Sequence, residues 1–223
     1  MSIERMSQAT PSPSPHTAVG GLDALVRIAA TQSLAPDCDH FYFLRHGQTG
    51  RNALRIFQAV DEPLSELGLQ QAAHAAELLA GEPIRTIVCS DARRAFDTAH
   101  TVAAALRLTP TAQAELRERN FGALIGTSSA NIDWACEPEG GETLTQFVAR
   151  KRAALDAALK QPAPVLVVAH GGTLYALAAL LGVPIDVTVL GNAQPLRFSR
   201  ARNGLAWAVT PLLRHAGGEA ALA

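Results

Sequence analysis

Three apolar stretches of this chain end on groups that can carry positive charge. Arg45 and His46 close "FYFLRH", Ser90, Asp91, Arg93 and Arg94 follow the run in "VCSDARRAFDTA", and His170 follows the one in "PVLVVAHGGTL". Singly, each has a plainer reading. A histidine after a strand is more often a hydrogen-bonded structural group than a catalyst, "HGG" can be a turn, and two arginines at a helix start usually face solvent. The helix macrodipole nevertheless disfavours cations at that end, and their placement becomes sensible when an anion sits in the gap. Two arginines and two histidines meeting at one point repel each other unless a dianion neutralises them, and phosphate geometry suits planar guanidinium forks. Successive helical side chains diverge by about 100°, so Arg94 is expected in such a pocket in place of Arg93, although periodicity alone leaves the choice open.

The elements that must deliver these groups are those of an α/β domain. From residue 40 onward, short β-branched or aromatic runs alternate with longer segments of helical period. Strands are expected over 41–44, 86–90 and 165–169, and in open sheets of this kind ligands bind beyond the carboxyl ends of the strands. Ser65 is expected to cap a helix that turns Leu69, Ala72, Ala76 and Leu79 inward and is closed by Gly81. Two more helices are expected over 92–107 and 142–160, the second burying Leu144, Phe147, Val148, Leu155 and Leu159. "PLRFSRARNGLAWAVTPL" reads as two strands around an Asn203-Gly204 turn. Upstream, "LDALVRIAATQSL" places Leu22, Leu25, Val26 and Ala29 on one face of a short helix that packs on the domain. The expected organisation is a disordered Ser/Pro/Thr-rich tail over 1–20, a short helix and linker over 21–39, one domain over 40–215, and a flexible C-terminus over 216–223.

A length of 223 residues suits one sizeable core. The formal net charge of −1 gives no long-range attraction to nucleic acid or anionic lipid, so any anion binding must be local. No apolar run approaches the roughly 18–20 residues that span a bilayer, and "MSIERMSQAT" lacks the order of a secretion signal. The expected location is cytoplasmic, with neither nucleic acid nor membrane as partner. Cys38, Cys89 and Cys136 are odd in number and unrelated in spacing, which argues against a disulfide framework or a zinc cluster, and Cys89 in "TIVCS" reads as a buried thiol.

Order and spacing carry a resemblance as well. "LRHGQTGRN", "PLSELGLQQA", "CSDARRAFDTA", "LRERNFGALIG" and "VVAHGGTL" are similar, in succession, to the signatures of the histidine phosphatase superfamily, which includes the phosphoglycerate mutases. The likeness runs over roughly residues 40 to 210. It implies a three-layer α/β/α sandwich with a mostly parallel central sheet, and phosphoryl transfer through a phosphohistidine with no metal and no cofactor. By position, His46 matches the nucleophile, Arg45 and Arg94 the phosphate clamps, His170 the second pocket histidine, Glu118 the proton donor and Asn52 an auxiliary phosphate ligand. The plainer reading of Glu118 is a surface ion pair with Arg117 or Arg119.

Such chemistry needs an in-line nucleophile, neutralised equatorial oxygens and a proton for the leaving alkoxide. One ring nitrogen of His46 must be bare while the other donates, typically to a backbone carbonyl, and the sequence does not reveal which. A bound dianion is expected to keep His170 protonated, and Gly171 to let the backbone approach the phosphate with its N–H as a donor. The mutases of the family generally carry a long insertion after the glutamate motif, where this chain has only "TSSANIDWACEPE". A short cap leaves the phosphohistidine open to water, so a phosphomonoester phosphatase acting on a small phosphorylated metabolite is expected, as monomer or homodimer. The alternatives are a mutase-type phosphotransferase and a non-catalytic phosphate-binding module. Gln58, Ala59 and Ile125 are expected to shape the substrate end of the pocket. Ala59 stands where many relatives have glycine and Ile125 where many have glutamate, and an apolar Ile125 favours a less charged substrate.

Overall fold

The computed structural model describes residues 20–201 and 206–213. Six strands form one mixed sheet: β1 (His40–Arg45), β2 (Thr86–Ser90), β3 (Thr111–Gln113), β4 (Val165–Ala169), β5 (Pro195–Arg200) and β6 (Trp207–Pro211), in the order β3-β2-β4-β1-β5-β6. The four strands β3, β2, β4 and β1 run parallel, and β5 and β6 add an antiparallel edge. The three strands expected from their apolar runs are the central ones. Both of their faces are covered, which is why they read as continuous apolar segments without alternation.

The helices are α1 (Leu22–Ala30), α2 (Gly50–Ala53), α3 (Glu66–Leu79), α4 (Arg93–Leu106), α5 (Leu144–Leu159) and α6 (Gly171–Leu180). They divide between the two faces by the twofold alternation of strand side chains. Phe41, Phe43, Val88, Val165, Val167 and Ala169 pack with α1, α5 and α6. Tyr42, Leu44, Ile87, Cys89, Leu166 and Val168 pack with α3 and α4. The result is an α/β/α sandwich, as expected. Cys89 lies fully inside the second layer, where burial pushes its thiol up to about 12 and makes it a core group.

Local signals account for most helix ends. The Ser65 hydroxyl accepts from the Gly68 N–H at the start of α3, and Thr143 with Gln146 forms a reciprocal cap on α5. All five expected stripe residues of α5 are buried, and Lys151 joins them. Other details differ from expectation. On α3, Leu69 is 53% exposed and Ala75 is buried in its place, because the face meeting α4 is built from small residues that let the two helices approach. The helix stops on Ala80 in a right-handed conformation, and Gly81 contributes no left-handed cap. On α1, Val26 is 41% exposed, since the contact with α5 and α6 uses only the narrow edge of Leu22, Leu25 and Ala29. The edge strand β3 was not anticipated. Its three residues are mostly exposed and carry no apolar run. The expected Asn203-Gly204 turn, the tail over 1–19 and the last residues from 214 lie outside the described residues.

Candidate active site

The parallel register brings the carboxyl ends of β1, β2 and β4 to one edge, with Arg45 level with Ala169. His46 follows Arg45 directly and donates its backbone N–H to the Ala169 carbonyl at 3.0 Å, so the ladder extends one residue past the strand. Its ring Nδ1 lies 2.7 Å from the Gly47 carbonyl. That is the acceptor the sequence could not identify: with Nδ1–H donating there, Nε2 is left bare. Burial, and then the Arg94 and Arg45 guanidiniums, hold the ring well below the usual imidazole range, against a smaller pull from the Gly47 hydrogen bond. That direction favours the neutral ring, whose bare Nε2 has the lone pair a nucleophile needs.

Arg94 is buried one residue into α4, while Arg93 faces out and pairs with Asp97 at 3.6 Å. The Arg94 Nη1 donates to the Ala59 carbonyl at 2.8 Å, and the Arg45 Nη1 to the Leu190 carbonyl at 2.7 Å. Each thus spends one nitrogen on anchoring, while its Nε is buried without a protein partner. Buried guanidinium donors left over after anchoring are what an anion pocket requires. His170 caps α6 from the end of β4, and its ring centroid lies 5.2 Å from that of His46. Burial first, then Arg94, His46, Lys151 and Arg45, hold the His170 ring well below its usual range.

Arg45, His46, Asn52, Arg94, Glu118, His170 and Gly171 all line one cavity of about 390 Å³. Asn52 accepts from the Asn192 amide through Oδ1 at 3.1 Å, which leaves its own amide hydrogens free to donate. Gln58 lines the same cavity and accepts from the Thr49 hydroxyl at 2.9 Å. Ala59 and Ile125 are not brought to it. They line a neighbouring cavity of about 360 Å³ on the far side of Gln58, Arg94 and Glu118, and Ala59 meets the site through its carbonyl alone.

Glu118 enters neither of the ion pairs that would have made it a surface group. Arg117 pairs with Asp91 at 2.5 Å, and the Arg119 guanidinium donates to the carbonyls of Trp134, Cys136 and Glu142. The Glu118 carboxyl instead accepts two backbone N–H groups, from Arg119 at 2.9 Å and from Gly172 at 2.8 Å. The Lys151 ammonium and the Arg150 guanidinium brace this segment by donating to the carbonyls of Glu115 and Arg117.

Several contributors were not singled out from the sequence. Gly172, more than Gly171, is the glycine that the site demands. A Cβ at 172 would collide with Glu118 and stand 2.5 Å from Trp134 Cη2, whereas one at 171 would rest at an ordinary 3.6 Å from Arg45 Nε. Thr98, one helical turn beyond Arg94, donates to the Arg94 carbonyl at 2.7 Å and accepts the Gly47 N–H at 3.0 Å; the i, i+4 spacing is the one signal that could have found it. Asn192 donates to the His46 carbonyl at 2.9 Å from 146 residues away. Ser129, Ile132 and Trp134 of the short cap, with Phe57, Phe121, Tyr175 and Arg55, also line the cavity. Among the described residues, no group of three or more His, Cys, Asp or Glu side chains is placed to share a metal ion, and no helix is long and apolar enough to cross a membrane.

Comparison with known proteins accords with this geometry. The model of the histidine phosphatase superfamily, branch 1, matches residues 41–194, and the chain belongs to that superfamily. It is 37% identical over 169 residues to a glucosyl-3-phosphoglycerate phosphatase of Mycobacterium tuberculosis, an alignment covering 64% of this chain and 75% of that one. It is 36% identical over 167 residues to a probable phosphoglycerate mutase, GpmB, of Yersinia pestis, with the same coverage. A mycobacterial glucosyl-3-phosphoglycerate phosphatase solved in complex with VO3 superposes with a TM-score of 0.63 at 31% identity, covering 81% of this chain and 100% of that one.

Proposed function

We propose that the chain, a phosphomonoesterase by family, hydrolyses a small phosphorylated sugar or sugar-linked phosphoglycerate through a phosphohistidine at His46. One observation carries the assignment: a buried, neutral imidazole with one nitrogen pinned to a carbonyl lies between two buried guanidiniums, in a cavity that also contains an anchored carboxyl. In the first step the His46 Nε2 lone pair forms the N–P bond as the ester P–O bond breaks, and Glu118 gives its proton to the departing alkoxide. Arg45 and Arg94 neutralise the equatorial oxygens, with Asn52 and His170 as further donors. In the second step water attacks phosphorus, Glu118 takes a proton from it, the N–P bond breaks and inorganic phosphate leaves. The lining, aromatic at Trp134 and Tyr175 and joined by the exposed Arg55, suits a leaving group with a ring face and a polar or anionic end.

His46→Ala should release no phosphate from p-nitrophenyl phosphate and should lose the acid-labile, alkali-stable phosphoryl label that the native protein acquires. Normal release by that variant would refute the assignment. The likeness to a probable phosphoglycerate mutase favours a second reading, in which the phosphoryl group returns to an acceptor. The fate of the label separates the two: transfer to water supports the hydrolase, transfer to added phosphoglycerate the mutase. A panel of sugar phosphates, 3-phosphoglycerate, nucleotides and phosphopeptides, with and without chelator, identifies the substrate class.

A further inference from the structure

Ser90 ends β2 inside the protein and is wholly buried, as is His170. Its hydroxyl oxygen accepts the Ala92 N–H at 3.2 Å and lies 2.9 Å from His170 Nε2. These are the only two hydrogen bonds of that side chain among the described residues. A hydroxyl has one hydrogen and two acceptor positions. If His170 carried a proton on Nε2, that proton would take the second acceptor position of Ser90. The serine hydrogen would then be a buried donor with no acceptor, which is costly. If the serine donates to a bare Nε2, its one hydrogen is satisfied and only an acceptor lone pair is left over, and the proton of a neutral ring must sit on Nδ1. His170 Nδ1 has no protein partner, as Nε of Arg45 and Arg94 has none, but His170 lines the cavity and Ser90 does not, so a hydrogen on this ring can be met by a bound anion where one stranded on Ser90 cannot.

We infer that Ser90 is a positioning residue that sets His170 as the neutral Nδ1–H tautomer, so that His170 serves the transferring phosphoryl group as an uncharged donor. The inference rests on the reading of this cavity as the phosphoryl pocket. The groups around the ring agree with it. Arg45 and His46 from the β1 edge, Arg94 from α4 and Lys151 from α5 all oppose a further positive charge. Glu118, the facing carboxyl, is tied to the Arg119 and Gly172 N–H groups and not to the ring. Two guanidiniums already balance a phosphoryl dianion, and an uncharged N–H adds a directed hydrogen bond without adding repulsion. This departs from the expectation that a bound dianion keeps His170 protonated.

The test is 15N NMR of histidine-labelled protein, free and with vanadate, with the His170 signals assigned by their loss in His170→Gln. From about pH 6 to 8, where an ordinary imidazole titrates, His170 should show a protonated Nδ1 and a bare Nε2 in both states. An imidazolium pattern, or a proton on Nε2, overturns the inference. In Ser90→Ala the tautomer should redistribute toward Nε2–H and kcat/KM should fall about 10-fold, the value of one ordinary hydrogen bond. Ser90→Thr, which keeps the hydroxyl, should restore both. An unchanged His170 pattern in Ser90→Ala removes the role given to Ser90, and if that variant does not fold, the native spectrum still decides the tautomer. Failure of the hydrolase reading is seen separately: the native protein would show the Nδ1–H tautomer and yet turn over no phosphomonoester.

Discussion

Gly172→Ala isolates the carboxyl from the rest of the pocket. The added methyl would fall inside contact distance of Glu118 Oε1, 3.1 Å from Glu118 Cδ and 2.5 Å from Trp134 Cη2. Intrinsic propensity runs the other way, since alanine is favoured over glycine in a helix by roughly 0.5–1 kcal/mol. The steric term decides the outcome, because the carboxyl cannot hold its 2.8 Å bond to the Gly172 N–H while moving by the roughly 1 Å the methyl requires. A displacement of about 1 Å in a catalytic group costs on the order of 100-fold in rate. In the proposed mechanism Glu118 protonates the leaving group and later serves the attacking water, so the first step should slow by about that factor for an alkyl phosphate. It should change little for p-nitrophenyl phosphate, whose phenolate leaves without a proton. Rapid-mixing measurement of the p-nitrophenolate burst should therefore show near-native phosphorylation of His46 followed by slow turnover, since the same carboxyl serves the attacking water. An equal slowing of the burst and of alkyl phosphate cleavage would refute the reasoning, as would native rates on both.

Arg94→Ala should lose about 3 kcal/mol of transition-state stabilisation, roughly 100-fold in kcat/KM, by comparison with the removal of one oxyanion donor. Steady-state kinetics with a fall of less than about 5-fold would place Arg94 outside the phosphoryl contacts. Thr98→Val keeps the shape but strands the Gly47 N–H beside His46, so the urea midpoint should report a loss of about 1–3 kcal/mol. His46 and His170 both have folded-state pKa values below the ordinary imidazole value, so below about pH 6.5 the unfolded chain binds more protons than the folded one. Stability should accordingly fall as pH drops from 6.5, by about 1.4 kcal/mol for each pH unit in which one of the rings stays neutral only when folded. Urea titrations that show equal or greater stability at pH 5.5 than at pH 7 would contradict the burial of neutral rings, and His170→Gln should flatten the slope.

The candidate-site residues were legible because they stand at fixed offsets from apolar runs: Arg45 and His46 end one, Arg94 lies in the first turn of the helix after another, and His170 ends a third. A central parallel strand must be apolar on both faces, and that requirement is written locally in the chain. The α5 stripe and the cap at Ser65 are local in the same sense, for a helix repeats every 3.6 residues and its first amides need an acceptor within reach. Local pattern could not say which edge of α1 or α3 would be covered, so Val26 and Leu69 were placed inward and are exposed. Nor could it show β3, whose strand geometry comes from pairing with β2 and not from its own residues.

The amino-acid sequence by itself thus determined the central strands and the motif residues that end them. Tertiary structure alone decided how those residues are held. Gly172 reaches Glu118 across 54 residues, Ser90 reaches His170 across 80, and Asn192 reaches His46 across 146. The physical reason is that a hydrogen bond is set by distance and angle between two atoms, and strand register, not spacing along the chain, brings such atoms together.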